Sequence, residues 1–197
     1  MKIYLASSNK HKQQEISQCL PEHEIVMPID IGLHFSVKED GNSFLENAMI
    51  KARTLYREVK APVLADDSGL CVKALGDRPG IFSARYSTPP MSKENVADYG
   101  ISRLLKEMKG LEDRRAVFVC CIVLYMEEHS FFVFQDVCKG KIEYEKKGLG
   151  GFGYDPIFFV DSMGKTMAEL TEKEKNLTSH RGKALSHCRI FLQNMLK

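Results

Sequence analysis

The chain has 197 residues, 44% apolar and 27% charged, a globular balance that excludes intrinsic disorder. Lysine and arginine number 28 against 26 aspartates and glutamates, a formal charge of +2. That balance offers no electrostatic footprint for duplex DNA, so no nucleic acid partner is expected, yet a few local cations could still hold a small anion. The six cysteines show no C-x-x-C spacing, which excludes a zinc ribbon or a thioredoxin-like pair and fits a reduced, cytoplasmic setting. The opening MKIYLASSNK turns polar too soon for a signal peptide. The longest apolar run, 116–126, falls far short of the roughly 20 residues that span a bilayer, so no membrane partner is expected. The length suits one domain, 1–197, or two closely packed lobes.

In chain order, residues 2–7 (KIYLAS) read as a buried strand, followed by a polar-rich helix with Ile16, Cys19 and Leu20 on one face. Residues 24–30 form a second strand candidate. Ser43 and Glu46 make a capping-box pattern for a helix with Phe44, Leu45, Ala48, Met49, Ala52 and Leu55 at helical spacing. That helix stops before Pro62, where a third strand, PVLAD, begins. Glycines and prolines make 76–90 a long loop, and a helix over 92–109 follows. Residues 116–126 and 131–137 predict a β-hairpin, 141–145 a further strand and 148–153 a glycine-rich loop. A last helix runs from 179 to 196. Helices and strands mix throughout around an antiparallel centre, so the expected class is α/β with a mixed central sheet flanked by helices.

Two motif matches fail on context. GLGGFG at 148–153 spells G-x-G-x-x-G, but Tyr154-Asp155-Pro156 and an apolar strand-like run follow where a dinucleotide site needs a helix. Gly164-Lys165-Thr166 imitates the end of a Walker A loop, yet Phe159 stands where that motif requires glycine.

Four constellations can carry chemistry. Ser7, Ser8, Asn9, Lys10, His11 and Lys12 lie between the first strand and first helix, where free amides and a helix dipole suit a phosphate chain. The same residues equally suit a plain N-cap with solvated lysines. Asp66 and Asp67, followed by Ser68 and Gly69, are placed just after the third strand, where paired carboxylates can hold Mg²⁺ and orient a water; the tetrad is also a good turn. Glu39 could add an oxygen ligand or be a solvated loop residue. Phe152, flanked by glycines and followed by Gly153, Tyr154 and Asp155, can offer a ring on which a flat base stacks, or can be a core phenylalanine at a tight bend. Lys175, His180 and Arg181 gather donors at the entry to the last helix, or are surface charge. Together they supply the parts needed to bind and cut a nucleoside triphosphate.

These stretches resemble the inosine triphosphate pyrophosphatase family, whose bacterial members are called dITP/XTP pyrophosphatases. The resemblance runs in order over essentially the whole chain: LASSNKHK, SFLENAMIKA, LADDSGL, LGDRPGIFSARYS, GGFGYDPIF, AELTEKEKN and SHRGKAL. It implies an elongated mixed sheet and two lobes with the active-site cleft between them. It implies further that Ser7 to Lys12 bind triphosphate and sugar and that Lys51 lies near the phosphates. Asp67 would bind Mg²⁺ and accept the proton, Glu39 would be a second metal ligand, and Ser68 would contact substrate. Phe152 to Asp155 would frame the base, and Lys175, His180 and Arg181 would read its edge. His11 departs from the glycine that many members carry. The implied reaction converts ITP, dITP or XTP to the monophosphate and pyrophosphate, sanitising the nucleotide pool, and the implied assembly is a homodimer. A metal-bound carboxylate is a weak base, so Asp67 orienting a water is kept beside Asp67 deprotonating it. Three rivals remain: a related pyrophosphatase with another base preference, a nucleotide sensor without catalysis, and a structural interaction domain.

Overall fold

A computed structural model describes residues 1–86 and 96–195. Its strands and helices, in chain order, are β1 (Lys2–Leu5), α1 (Lys10–Cys19), β2 (Glu24–Val26), α2 (Phe44–Val59), β3 (Val63–Val72), β4 (Arg78–Pro79) and α3 (Val96–Glu107). The chain continues through β5 (Arg115–Glu127), β6 (Ser130–Ile142), β7 (Phe158–Val160), β8 (Lys165–Thr166), α4 (Glu172–Thr178) and α5 (His180–Met195). The sheet order is β2-β1-β3-β5-β6-β7-β8, with β4 paired to β3. β1 runs parallel to both β2 and β3, whereas β4 and the β6-β7-β8 steps are antiparallel, which makes the sheet mixed. Among the described residues, no helix is long and apolar enough to cross a membrane.

The chain divides into two compact units. The first comprises Met1–Asp67, Cys120–Asp136 and His180–Lys197. Its sheet is covered on both faces, because side chains alternate along each strand. Leu64 of β3 and Cys120, Ile122 and Leu124 of β5 pack with Ile16 of α1 and Leu185, Cys188 and Leu192 of α5. Val63 and Ala65 of β3, with Val123 and Tyr125 of β5, pack on Ala48, Ala52 and Leu55 of α2. Parity along β3 therefore assigns Asp66 to the α1/α5 face and Asp67 to the α2 face. The second unit comprises Ser68–Val119 and Val137–Ser179. There α3 buries Ile101 and Leu104 against Leu70, Tyr154, Phe158 and Met167, with Phe118 and Phe158 rings 4.5 Å apart.

Local signals explain the element ends. Ser43 Oγ accepts the Glu46 amide at 3.1 Å and opens α2 as the capping pattern predicts. Glu46 itself reaches back to the Asn42 amide, at 2.6 Å. Lys60, in a left-handed conformation, ends the helix ahead of Pro62. Several expectations change. The strand beginning at PVLAD runs on to Val72, so Asp-Asp-Ser-Gly is strand interior rather than a turn. The alternation of apolar neighbours around the two aspartates, with ion partners on both faces, holds the segment extended. The separate strand at 141–145 does not form: β6 continues to Ile142 because β7 pairs with its end. The second strand stops at Val26 and a 3₁₀ turn covers Pro28–Ile31, since Pro28 has no amide to give a ladder. The loop from 76 contains β4 and a 3₁₀ turn, Gly80–Arg85; its part 87–90, the helix start at 92–95 and Leu196 lie outside the described residues. Helix α4 is not among the elements the sequence pattern predicts, although Thr171 and Glu174 form a reciprocal capping box at its start. Gly164-Lys165-Thr166 lies at a hairpin bend and in β8, so it wraps no phosphate.

Candidate active site

In the first unit the loop after β1 is tied down by its own polar side chains. Ser7 Oγ accepts the Asn9 amide at 3.1 Å, and Asn9 Oδ1 accepts those of His11 and Lys12 at 2.9 and 3.2 Å. Asn9 is thus the N-cap of α1. The cap starts the helix so that Lys12 points inward: its Nζ donates to Asp66 Oδ1 at 2.5 Å and lies 3.3 Å from the Asp66 carbonyl. Lys12 is therefore not a solvated surface lysine.

Asp66 is completely enclosed. Its Oδ2 accepts Arg181 Nε at 2.6 Å and faces the Cys120 thiol at 3.4 Å. Burial would raise its pKa, but Arg181 and Lys12 overcome that cost and hold the carboxyl well below its usual range. Arg181 also donates from a terminal nitrogen to Glu15 Oε2 at 2.5 Å. The chain Glu15–Arg181–Asp66–Lys12 thus links α1, α5 and β3 within one unit. Glu15 had no sequence signal beyond its helical position, three residues after Lys12.

Asp67 has different surroundings. Lys51, buried on α2, donates to Asp67 Oδ1 at 2.7 Å and to the Asp66 carbonyl at 2.9 Å, and pairs with Glu39 at 3.2 Å. Asp67 Oδ2 is buried and has no hydrogen-bond partner among the described residues. Burial outweighs Lys51 and pushes the Asp67 carboxyl up. Burial by itself would lower Lys51, yet Asp67, Glu39 and Asp66 together raise it, so it stays a cation. Asn47, one turn before Lys51, was also missed. Its Oδ1 accepts the Gly41 amide at 2.9 Å and anchors the segment that carries Glu39.

In the second unit, Asp155 organises the glycine-rich loop. Its Oδ2 accepts the Phe152 amide at 2.8 Å and Lys175 Nζ at 2.7 Å, and Lys175 Nζ lies 5.0 Å from the centre of the Phe152 ring. Gly151 has φ +69°, and a Cβ there would fall 2.0 Å from Asp155 Oδ2, so only glycine lets the loop close on that carboxylate. The Gly150 amide donates to the Ala168 carbonyl at 3.0 Å. Phe152 is half-buried. Tyr154 turns inward: its hydroxyl donates to the Ser83 carbonyl at 3.1 Å, and burial pushes its pKa up.

The structure thus brings Lys12, Lys51, Glu39, Asp67 and Arg181 together around the two aspartates, and Phe152, Asp155 and Lys175 around the glycine-rich loop. Ser7 and Asn9 shape the first loop, where Lys10 and His11 are exposed; Ser68, next to Asp67 on β3, is half-buried. His180 is buried at the first position of α5. Lys175 and Arg181, predicted as one donor cluster, are each committed to a different carboxylate.

Two lysines on adjacent carboxylates in a mixed α/β sheet, and a ring beside a lysine–aspartate pair, are the equipment of a nucleotide-handling protein. The chain belongs to the Ham1 family, whose model matches residues 3–191. It is 53% identical over 194 residues to the dITP/XTP pyrophosphatase of Treponema denticola, covering 98% of this chain and 99% of that one. Among solved structures it resembles the Ham1 protein of Staphylococcus aureus, with a TM-score of 0.87 and 36% identity over 99% of this chain and 100% of the other. It also resembles a HAM1 protein from Coxiella burnetii, with a TM-score of 0.88 and 37% identity over 98% and 99%.

Proposed function

We propose that this chain hydrolyses the non-canonical purine triphosphates dITP, ITP and XTP to the nucleoside monophosphate and pyrophosphate. The observation that carries the reading is Asp67: a buried carboxylate with one oxygen on Lys51 and the other without a hydrogen-bond partner among the described residues, in a chain similar over nearly its full length to a dITP/XTP pyrophosphatase. Lys12 and Lys51 would donate to phosphate oxygens and offset their charge. A water hydrogen-bonded to Asp67 Oδ2 would attack the α-phosphorus. Its proton passes to the carboxylate as the new P–O bond forms, the bond to the β-phosphate breaks, and pyrophosphate leaves with that electron pair. Burial makes Asp67 a stronger base than an exposed aspartate, which suits this role.

Mg²⁺ is part of the proposal. The carboxylates of Glu39 and Asp67 are hard oxygen donors, and Mg²⁺ is commonly held by one or two carboxylates together with substrate phosphates; an ion on Asp67 Oδ2 would lower its pKa, and Asp67 would then orient the water rather than take its proton. When bound, the ion would neutralise charge on the phosphates. Phe152 is assigned to stacking on the base. Lys175, His180 and Arg181 are assigned to the base edge, His180 and Arg181 to the 6-keto oxygen, which adenine lacks; a donor facing the adenine amino group would be left unsatisfied, at about 1–3 kcal/mol. We include a homodimer and a cytoplasmic setting in this reading, the latter on six free cysteines. Product analysis with ITP tests the reaction: monophosphate plus pyrophosphate is expected, and diphosphate plus orthophosphate would overturn it. Equal turnover of GTP and ITP would overturn the base assignment.

A further inference from the structure

Away from these residues, the first unit carries a pocket of about 180 Å³ lined by Arg53, Tyr56, Arg57, Tyr125, Glu128 and His129. It shares no lining residue with the constellation around Asp67. Arg53, Tyr56, Arg57 and Lys60 recur at three- and four-residue steps, so they occupy one side of α2 and its C-terminal cap while Ala48, Ala52 and Leu55 face the sheet. The floor is aromatic and braced: the Tyr56 and Tyr125 rings are 5.0 Å apart, and Phe131 lies parallel to Tyr125 at 6.1 Å. The Tyr125 hydroxyl donates to the Glu128 carbonyl at 2.6 Å, which pins the β5–β6 turn carrying His129. Lys60 Nζ stands 5.7 Å from the Tyr56 ring centre.

The charges around this pocket do not balance. Arg53 and Arg57 are exposed, and among the described residues neither has a carboxylate within ion-pair distance. Among the described lining residues, Glu128 is the one acidic side chain, against two guanidiniums and an imidazole. Guanidinium forks match phosphate oxygens two at a time, and two forks one helical turn apart suit a compact anion carrying more than one charge. A single carboxylate would use only one of them.

We propose that this pocket is a second anion site, selective for a small phosphate-class polyanion. Inorganic pyrophosphate has the charge and size to engage both arginines, and the hydrolysis proposed above would release it beside the protein. The identity of that source rests on the proposed function; the site itself does not.

The test uses the full chain with sodium pyrophosphate and, separately, sodium orthophosphate at matched ionic strength without divalent metal, read by calorimetry and by the arginine Nε–H resonances. Pyrophosphate should shift the Arg53 and Arg57 resonances, and Arg53→Gln with Arg57→Gln should remove that binding event by about tenfold or more in affinity. Orthophosphate should bind the same arginines more weakly. ITP turnover without added pyrophosphate should be unchanged in the double variant, because neither arginine belongs to the candidate active site. Unshifted wild-type resonances, or a double variant that binds pyrophosphate like wild type, would overturn the site. Failure of the ITP product test would remove only the proposed source, since the probe is added from outside.

Discussion

Asp66 and Asp67 are consecutive residues of one strand, yet they meet opposite environments. Asp66, on the α1/α5 face, is saturated by Lys12 and Arg181 with the Cys120 thiol alongside, and its carboxyl is held far below the usual range. Asp67, on the α2 face, has one oxygen on Lys51 and one without a hydrogen-bond partner among the described residues, and its carboxyl is pushed up. Neighbouring carboxylates with diverging pKa values mark a division of labour. The satisfied one holds cations in place. The unsatisfied one keeps a lone pair open, and it is to this oxygen that the proposed hydrolysis assigns its water.

That division can be broken from either side. The largest effect is expected at Asp67→Asn: turnover of ITP should fall by about 10²–10⁴-fold, the range for a positioned base. Its melting temperature should stay near wild type, because the substitution removes a carboxylate that burial already disfavours. Stopped assays of pyrophosphate release beside a thermal melt would separate the two. A collapse of stability in this variant would merge the two aspartates into one structural role.

Asp66→Ala should do the reverse and cost about 3–5 kcal/mol in urea unfolding, since it takes the shared carboxylate from the half-buried Lys12 and leaves the buried Arg181 with Glu15 as its remaining carboxylate. The pH dependence carries the same contrast. Asp66 binds its proton more weakly folded than unfolded, so its stabilisation is present above the ordinary aspartate pKa of about 3.9 and is lost as pH falls toward its lower folded value. Asp67 binds its proton more tightly folded, so its contribution is largest at low pH and declines as pH rises through its raised value. Urea midpoints measured across the acid range should therefore show a steep acid limb that Asp66→Asn flattens and Asp67→Asn leaves in place.

Lys51→Met sharpens the comparison further, because it removes the cation that restrains Asp67. The Asp67 carboxyl should rise still higher, and the acid limb of the pH–rate profile should move upward with it. The smallest change is expected at Cys120→Ala, about 1 kcal/mol or less beyond the lost packing of one sulfur, since a thiol is a weak donor. Thermal melts would resolve it from wild type, and a loss as large as that of Asp66→Ala would make the thiol a principal partner of that carboxylate.

Much of the architecture follows from local pattern. The capping pattern at Ser43, the helical spacing from Phe44 to Leu55 and the two apolar runs of the hairpin all became the elements they predict. The predicted ends failed where a partner outside the segment decides. β3 runs through Asp-Asp-Ser-Gly, which local propensity reads as a turn, because cations on both faces and apolar neighbours on either side keep it extended. Helix α4 escaped notice because its seven residues are too short for an apolar period, although its capping box was visible. Glu15 and Asn47 escaped because nothing in a sequence window connects a helix glutamate to an arginine 166 residues away, or an asparagine to the loop before its own helix.

From the sequence alone came the chemical inventory and its order: a capped loop with Lys12, paired aspartates and a ring among glycines, with Lys51 added only by the family resemblance. Those depend on residue type and short-range periodicity, which a linear string preserves. Only the tertiary structure decided which carboxylate each cation serves, and therefore that Asp66 is filled while Asp67 keeps an oxygen open. That choice is made by strand parity and by helices distant in sequence closing over the two faces of β3, and charge pairing between them depends on distances that exist only once the chain has folded.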